Sequence, residues 1–259
     1  MIMNAKTALE ISRRVAEEVE SAVRHLAGKS EAGVTVGMGK DGTPTKKIDQ
    51  VAENAALKVL GEYDLTVVSE EAGVTGEGEV YVALDPVDGT FNAEKGIPVY
   101  SVTLCFSRSR RLRDTFFGYV RNLATGEEYY SDGRRSYRNG EEIRASDADS
   151  VECNAIVYYP ERRFPFRRVR IFGASSLEIC YVADGRFDCF IDLRRGAGGR
   201  GFLRVYDIAA SLFIARNAGA KISSLDGDSV WEKEISMDER FRIVVSGKKV
   251  HDSLLEMLV

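Results

Sequence analysis

Apolar residues recur at Ala8, Ile11, Val15, Val19 and Val23, with charged residues between them. This spacing predicts a surface helix from Ala5 to Leu26 with one buried stripe, stopped by Gly28 and Gly33. The pattern then breaks. Residues 34–50, VTVGMGKDGTPTKKIDQ, are dense in Gly and contain a Pro, which predicts a flexible loop or two short strands around a turn. Helical spacing returns from about Asp49 to Leu60, with a stop at Gly61. Short β-rich runs follow at 65–69 (LTVVS), at 80–85 (VYVALD, ending directly at an Asp) and at 99–106 (VYSVTLCF). FFGYVRN and EEYYS, joined near Ala124-Thr125-Gly126, predict a hairpin, and Arg134 to Gly140 reads as a further turn region.

In the second half, strands are predicted at 154–159, 169–172 and 187–193. Helices are predicted at 175–184, 205–219 and about 251–258, the second of them buried and ended by Gly219. Residues 194–202, RRGAGGRGF, form a Gly/Arg loop. No repeat or low-complexity linker interrupts the chain. Helices and strands alternate irregularly, which predicts a layered α/β architecture rather than a regular parallel barrel.

The length of 259 residues allows one large domain or two small ones with a sizeable core. Forty acidic against thirty-six basic residues give a net charge of −4, unlike the strongly basic field of a nucleic-acid binder. No apolar run is long enough to span a bilayer, and the first residues carry acids and arginines without a signal-type apolar core. A cytoplasmic protein is expected. Cys105, Cys153, Cys180 and Cys189 form no CxxC pair and match no zinc spacing, so buried reduced thiols are expected. The two histidines, His25 and His251, lie near the chain ends and are expected on the surface. Catalysis would then fall to carboxylates, hydroxyls and a hard, oxygen-seeking metal.

Asp85-Pro86-Val87-Asp88-Gly89-Thr90 is the sharpest feature. An apolar strand delivers Asp85 to its end, and a turn can bring Asp88 to the same side. Gly89 permits close backbone approach, and Thr90 can begin a helix. Paired carboxylates beside exposed helix-start N–H groups can receive an anion bridged by a divalent cation. The blander reading is an ordinary strand-to-turn sequence. Three further segments present acids: Glu70-Glu71 after the 65–69 strand, Asp207 at the head of an apolar helix, and the loop carrying Lys40, Asp41, Thr43, Thr45 and Asp49. Singly, these read as surface acids or helix caps. Together they suggest a site gathered from distant segments.

These motifs, with Ser69-Glu70-Glu71 upstream and Val205-Tyr206-Asp207-Ile208-Ala209-Ala210 downstream, resemble the inositol monophosphatase superfamily in order and spacing. Residues 39–49 and 172–183 look closest to its archaeal branch, known for acting on both inositol monophosphate and fructose 1,6-bisphosphate. The resemblance implies an α+β fold, a layered α-β-α-β-α sandwich of the sugar phosphatase type. It also implies a homodimer and two or three Mg²⁺ ions, with Mn²⁺ as a substitute. Glu70, Asp85 and the Val87 carbonyl would bind the first metal. Asp85, Asp88 and Asp207 would bind the second, and Asp41 would bind a weaker third. Asp88, Gly89 and Thr90 would cradle the phosphate. Thr90 and Asp49, with Glu70, would orient and deprotonate the attacking water. The whole of 1–259 is expected to act as one catalytic unit. Residues 1–145 would form a metal- and phosphate-binding half, and 146–259 a substrate-binding half that contributes Asp207. Two departures stand out: the spacing of the 39–49 loop, and a longer segment from Leu193 to Arg204.

Because a phosphate monoester dianion repels a nucleophile, hydrolysis needs charge neutralisation more than covalent chemistry. The expected reaction is attack by metal-activated water without a phosphoenzyme. Ser175, at a helix start after Gly173 and Ala174, could meet a sugar hydroxyl through its N–H. Arg170, with Arg194 or Arg200, could pair with a second phosphate through a guanidinium fork. The rival substrates are 3′-phosphoadenosine 5′-phosphate or another small phosphorylated metabolite. A non-catalytic binder of the same fold would have no need to keep the full acid set, and the acidic balance speaks against a nucleic-acid partner.

Overall fold

The apolar stripe of the first segment forms α1 (Ala5–Val23), opened by the Asn4 side chain, which accepts from the Thr7 N–H at 3.0 Å. In the computed structural model, which describes residues 3–40, 42–196 and 199–258, Ala8, Ile11, Val15, Val19 and Val23 are all buried. The helix ends earlier than its pattern suggests, although Leu26 stays buried in the turn that follows. Residues 34–50 resolve into a hairpin of β1 (Thr35–Met38) and β2 (Pro44–Lys46), leading into α2 (Lys47–Leu60). Asp49, in the first turn of α2, accepts from the Lys46 N–H at 3.3 Å and so takes up one of the helix's unpaired donors.

The first sheet comprises β3 (Leu65–Ser69), β4 (Gly73–Thr75), β5 (Val80–Asp88), β6 (Ser101–Ser107), β7 (Thr115–Asn122), β8 (Glu128–Ser131), β9 (Ser136–Arg138) and β10 (Glu141–Glu142). Its order is β10-β9-β8-β7-β6-β5-β3-β4, with β3 and β5 parallel and the other neighbours antiparallel. The β7–β8 hairpin is the one expected near Gly126. The region 134–140, read as a turn, instead contains β9, which pairs with β8 and β10. Its run of three is too short to show a period-2 signal between Gly-bearing turns.

Between β5 and β6 lies the short helix α3 (Thr90–Lys95). The second sheet comprises β11 (Asn154–Tyr158), β12 (Arg168–Arg170), β13 (Cys189–Asp192), β15 (Lys221–Ser224) and β17 (Ile243–Ser246), in the order β12-β11-β13-β17-β15. A separate pair joins β14 (Leu203–Arg204) to β16 (Arg240–Phe241). Helices α4 (Ser175–Ala183), α5 (Val205–Asn217) and α6 (His251–Leu258) complete the chain.

Strand alternation builds the layers. Val82, Leu84, Val102, Leu104 and Phe106 pack with α1 and α2. Ala83 and Cys105, on the opposite face, pack with α4 and α5, which also cover Ile156, Phe190 and Val245 of the second sheet. Val157, Ile191 and Val244 turn outward onto Leu254 of α6. The result is the α-β-α-β-α sandwich that the resemblance implied. Both faces of each central strand are covered, which explains why their sequences read as apolar runs.

All four cysteines are buried free thiols, as expected, with Cys153 Sγ 3.9 Å from Cys189 Sγ. His25 is exposed, but His251 is fully buried, contrary to the expected surface position. Its ring lies between Ser223 Oγ at 2.9 Å and Ser246 Oγ at 2.8 Å, because the first turn of α6 closes over the ends of β15 and β17. Burial, and then the Lys221 charge, push its pKa down to about 4. Among the described residues, no helix is long and apolar enough to cross a membrane.

Candidate active site

Asp85 was expected to end its strand, with a turn carrying Asp88. The strand instead runs through to Asp88, and the two acids are reconciled by a β-bulge. Asp85 pairs with Thr103 and Asp88 with Ser101, so three steps on β5 match two on β6. In a regular strand, residues three apart point to opposite faces. The extra residue restores the same face, and burial records the switch: Val87 packs into the α1–α2 layer, while Asp88 meets α4. Pro86, which has no N–H to lose from the ladder, sits inside the irregularity. The Asp85 carboxylate accepts from the Val87 N–H at 3.0 Å, which fixes its rotamer.

Gly89 follows with φ 91°, in the left-handed region. A Cβ there would lie 3.0 Å from the Val99 carbonyl and 3.1 Å from Ala174 Cβ, so only glycine lets α3 start against the 173–174 turn. Thr90 Oγ1 lies 2.9 Å from Asp49 Oδ1 and 3.2 Å from the Val87 carbonyl, and can donate to either. This contact joins α3 to α2.

The acids face one another electrostatically. Burial raises Glu70 well above the usual carboxylate range, and the charges of Asp207, Asp49, Glu71 and Asp88 add to the rise. Asp85 is raised by burial and then by Asp88, Glu70 and Asp207. Asp88 is pushed up to about 6 by burial, against hydrogen bonds from Ser176 and Ser175 and the charge of Arg194. Asp207 is pushed up to about 7 by burial, against the Arg204 N–H that it caps at 2.8 Å. Asp49 is raised to about 7 by burial, with the Thr90 hydrogen bond opposing. Among the described residues, no Lys, Arg or His forms an ion pair with any of these five. Nor do any three His, Cys, Asp or Glu side chains there already stand around one ion position. The group is therefore a set of desolvated, mutually repelling oxygens that a hard cation would neutralise, and carboxylate and carbonyl donors suit Mg²⁺.

The turn before α4 positions Asp88. Asp88 Oδ2 accepts from the Ser176 N–H at 2.7 Å and from the Ser176 hydroxyl, which itself lies 2.7 Å from Ser101 Oγ. Ser101 is the cross-strand partner of Asp88. Thr103, the partner of Asp85, donates to the Tyr206 carbonyl at 2.9 Å and so ties the helix of Asp207 to the sheet. Glu178, fully buried, accepts from the Phe172 N–H at 2.6 Å and from the Tyr158 hydroxyl at 2.5 Å, which holds the turn from beneath.

Glu70 and Asp207 open onto a cleft of about 500 Å³, whose other walls include Thr43, Arg200, Arg204 and Arg240. Anionic ligands bridged to a cation would meet guanidinium groups there.

The sequence pattern of the inositol monophosphatase family matches residues 4–258. The chain belongs to that family. A fructose-1,6-bisphosphatase/inositol-1-monophosphatase of Archaeoglobus fulgidus is 56% identical over 256 residues, spanning 99% of this chain and 100% of the relative. A bifunctional NADP phosphatase/NAD kinase of Methanococcus maripaludis is 31% identical over 95% of this chain, a match that takes in 48% of that longer protein. A solved inositol monophosphatase-fructose 1,6 bisphosphatase superimposes with a TM-score of 0.86 at 31% identity, covering 96% of this chain and 98% of the other. Inositol monophosphatase family members are generally metal-dependent, and the chain is a phosphatase by class.

Within this family frame, the expected residues fall into three groups. Asp49, Glu70, Asp85, Val87, Asp88, Gly89, Thr90 and Asp207 come together around one end of β5. Arg200 lines the cleft, and Arg194 acts on Asp88 and Asp207 by charge while its guanidinium is tied to buried Asp192 at 2.6 and 3.0 Å. Ser175 reaches the site, although the N–H groups at this helix start meet Asp88. Arg170 stands apart: it is exposed on the edge strand β12, donating to the Val169 carbonyl, and does not line the cleft. Asp41 lies outside the described residues. Sequence reasoning missed Ser101, Thr103, Ser176, Glu178, Arg204 and Arg240. The period-2 register opposite Asp85 and Asp88 was the available signal for the first two.

Proposed function

We propose that the protein is a Mg²⁺-dependent phosphomonoesterase that hydrolyses inositol monophosphate and fructose 1,6-bisphosphate with metal-activated water and no covalent intermediate. The observation that carries this reading is the group of buried, mutually repelling acids, Glu70, Asp85, Asp88 and Asp207, two of which, Glu70 and Asp207, line a cleft whose walls include arginines. Glu70, Asp85 and the Val87 carbonyl would hold one ion, and Asp85, Asp88 and Asp207 a second; Mn²⁺ could substitute. Bound metal would neutralise the phosphate dianion and acidify a water molecule. Asp49, itself raised by burial, would take a proton through Thr90 Oγ1, which it holds at 2.9 Å. Gly89, whose missing side chain keeps the backbone open, would let the phosphate approach the 88–90 segment. Arg194 or Arg200 would favour substrates with a second phosphate. Residues 1–145 would supply most metal ligands and 146–259 the substrate contacts and Asp207. A homodimer in the cytoplasm is the assembly and setting that this reading carries.

The names of the relatives support these substrates, and one also supports a second reading. The NADP phosphatase/NAD kinase match spans nearly all of this chain, which favours a phosphorylated nucleotide such as 3′-phosphoadenosine 5′-phosphate as a further substrate. Phosphate release from inositol 1-phosphate, fructose 1,6-bisphosphate and 3′-phosphoadenosine 5′-phosphate, each with Mg²⁺ and with a chelator, tests both. Release that survives complete chelation would remove the metal mechanism, and release from the nucleotide alone would reverse the order of the readings.

A further inference from the structure

A hollow of about 540 Å³ lies at one end of the second sheet. Among the described residues it shares no lining group with the metal-site cleft. The strand ends build it. Leu193 directly follows β13, Leu225 directly follows β15, and Arg242 directly precedes β17, which runs antiparallel to both. Glu161 and Arg162 come from the chain just beyond β11, the parallel neighbour of β13. The space outside the carboxyl ends of parallel strands is where open α/β sheets hold ligands.

Three arginines, Arg162, Arg195 and Arg242, line this hollow. Elsewhere on the surface arginines meet carboxylates, as in Arg14–Glu62, Arg113–Glu232 and Arg135–Glu142. Among the described residues, these three form no ion pair. Backbone carbonyls hold two of them in place. Arg162 donates to the Met257 carbonyl and lies over the Phe164 ring, 5.4 Å from its centre. Arg242 donates to the Leu193 carbonyl at 3.3 Å, while its Nε is buried without a partner. A guanidinium carries five N–H donors, so most of this capacity is unspent. Arg242 is also drawn partly out of water with its charge unmatched, where an anion would be attracted more strongly than at the open surface. Glu161 and Asp226 line the same hollow, outside ion-pair distance of the arginines.

We propose that this hollow is a second ligand site, separate from the catalytic cleft, and that it takes a phosphorylated polyol. The guanidinium forks suit the paired oxygens of a phosphate. Glu161 and Asp226 can accept from hydroxyls, which carry the donors that carboxylates need. Leu193, Leu225 and Phe164 give the carbon skeleton an apolar wall, and the volume falls within the range of small-molecule sites. A bare phosphate would leave most of that space unfilled. Binding here needs neither metal nor turnover, so the site stands whatever the cleft catalyses.

The test is calorimetric titration of the metal-free full chain with fructose 6-phosphate in chelator, where the cleft acids repel an anion. Binding should weaken about ten-fold in Arg162→Gln and in Arg242→Gln, the worth of one charge-assisted contact. It should be unchanged in Arg200→Ala, which alters the cleft. Absence of binding to the unmodified chain would overturn the site. So would binding lost in Arg200→Ala and kept in Arg242→Gln, which puts the ligand in the cleft, or equal weakening in all three variants, which marks diffuse attraction. Inorganic phosphate binding as tightly as fructose 6-phosphate would overturn the polyol assignment. Arg162→Gln changes an exposed side chain and decides the matter if Arg242→Gln fails to fold.

Discussion

On β8, Glu128 is buried and receives Arg13 through both oxygens, at 2.5 and 3.1 Å, with the Tyr119 hydroxyl at 2.9 Å. At the end of β5, in the same sheet, Asp85 is at least as deeply buried and has one backbone donor, Val87 N–H. Burial raises the pKa of both. At Glu128 the hydrogen bonds from Arg13 and Tyr119, with the charges of Arg13 and Arg121, outweigh burial and leave it below its usual value. At Asp85 the neighbouring carboxylates add to burial and drive it up. Desolvating a carboxylate costs several kcal/mol unless partners compensate it. The fold meets that cost at Glu128 with its own cations and leaves it unmet at the cleft. The difference separates an acid compensated by the fold's own cations from acids that, on the proposed reading, bound metal would compensate.

The harshest way to break this contrast is to disarm the cleft. Asp88→Asn keeps an acceptor for Ser176 but removes a charge. Turnover should fall more than about 100-fold, beyond the loss of an outer partner, with an unchanged circular dichroism spectrum. Near-normal phosphate release at saturating Mg²⁺ would count against the assignment. Substrate choice is the next measure. Arg194→Ala or Arg200→Ala should cut kcat/KM for fructose 1,6-bisphosphate about ten-fold more than for inositol 1-phosphate, the worth of one charge-assisted contact. Equal losses on the two substrates would remove the second-phosphate role.

Stability should respond with opposite signs in the two regions. Without metal, Asp207→Asn keeps the cap on Arg204 N–H and relieves repulsion, raising stability by about 1 kcal/mol, or about 2–4 °C in Tm. Glu128→Gln should lower stability by about 1 kcal/mol through the loss of a charge-assisted hydrogen bond. Thermal melts in chelator would expose a shared sign, which the contrast forbids.

The smallest effect is a pH slope. Asp49 and Asp207, near 7, and Asp88, near 6, all lie above the ordinary 3.8, so the folded state holds more protons than the unfolded between those values. Metal-free stability should therefore fall as pH rises from about 4 to about 7. His251 works the other way: its folded pKa of about 4 lies below the ordinary 6.5, so its contribution is present above 6.5 and lost as pH falls toward 4. His251→Gln should steepen the acid-side gain, and melts across this range with and without the substitution would show it.

Much of this arrangement was legible because buried strands and acid-ended segments leave compositional marks. LTVVS and VYVALD announce central strands, and the apolar helix behind Asp207 announces an interior one. The acids stood out by their places at strand ends and helix starts, and the resemblance then implied their roles. The supports were hidden for a physical reason. Ser101, Thr103 and Ser176 are small polar residues in ordinary strand and helix positions, and only register reveals that they anchor Asp88 and α5. His251 was misplaced because its burial depends on where α6 docks, which no local pattern records. Arg170 was misplaced because an Arg-rich segment looks alike whether it lines a cleft or an exposed sheet edge.

The irregularity in β5 gives the centre one residue more than the pairing of the acids needs. A β5 shorter by that one residue would run flat beside β6, with Asp85 and Asp88 two steps apart and still opposite Thr103 and Ser101. What would vanish is the Val87 side chain from the layer beneath α1 and α2, the N–H that fixes the Asp85 rotamer and the carbonyl within reach of Thr90. The surplus residue thus equips the acids with a core anchor and a backbone oxygen while leaving both on one face.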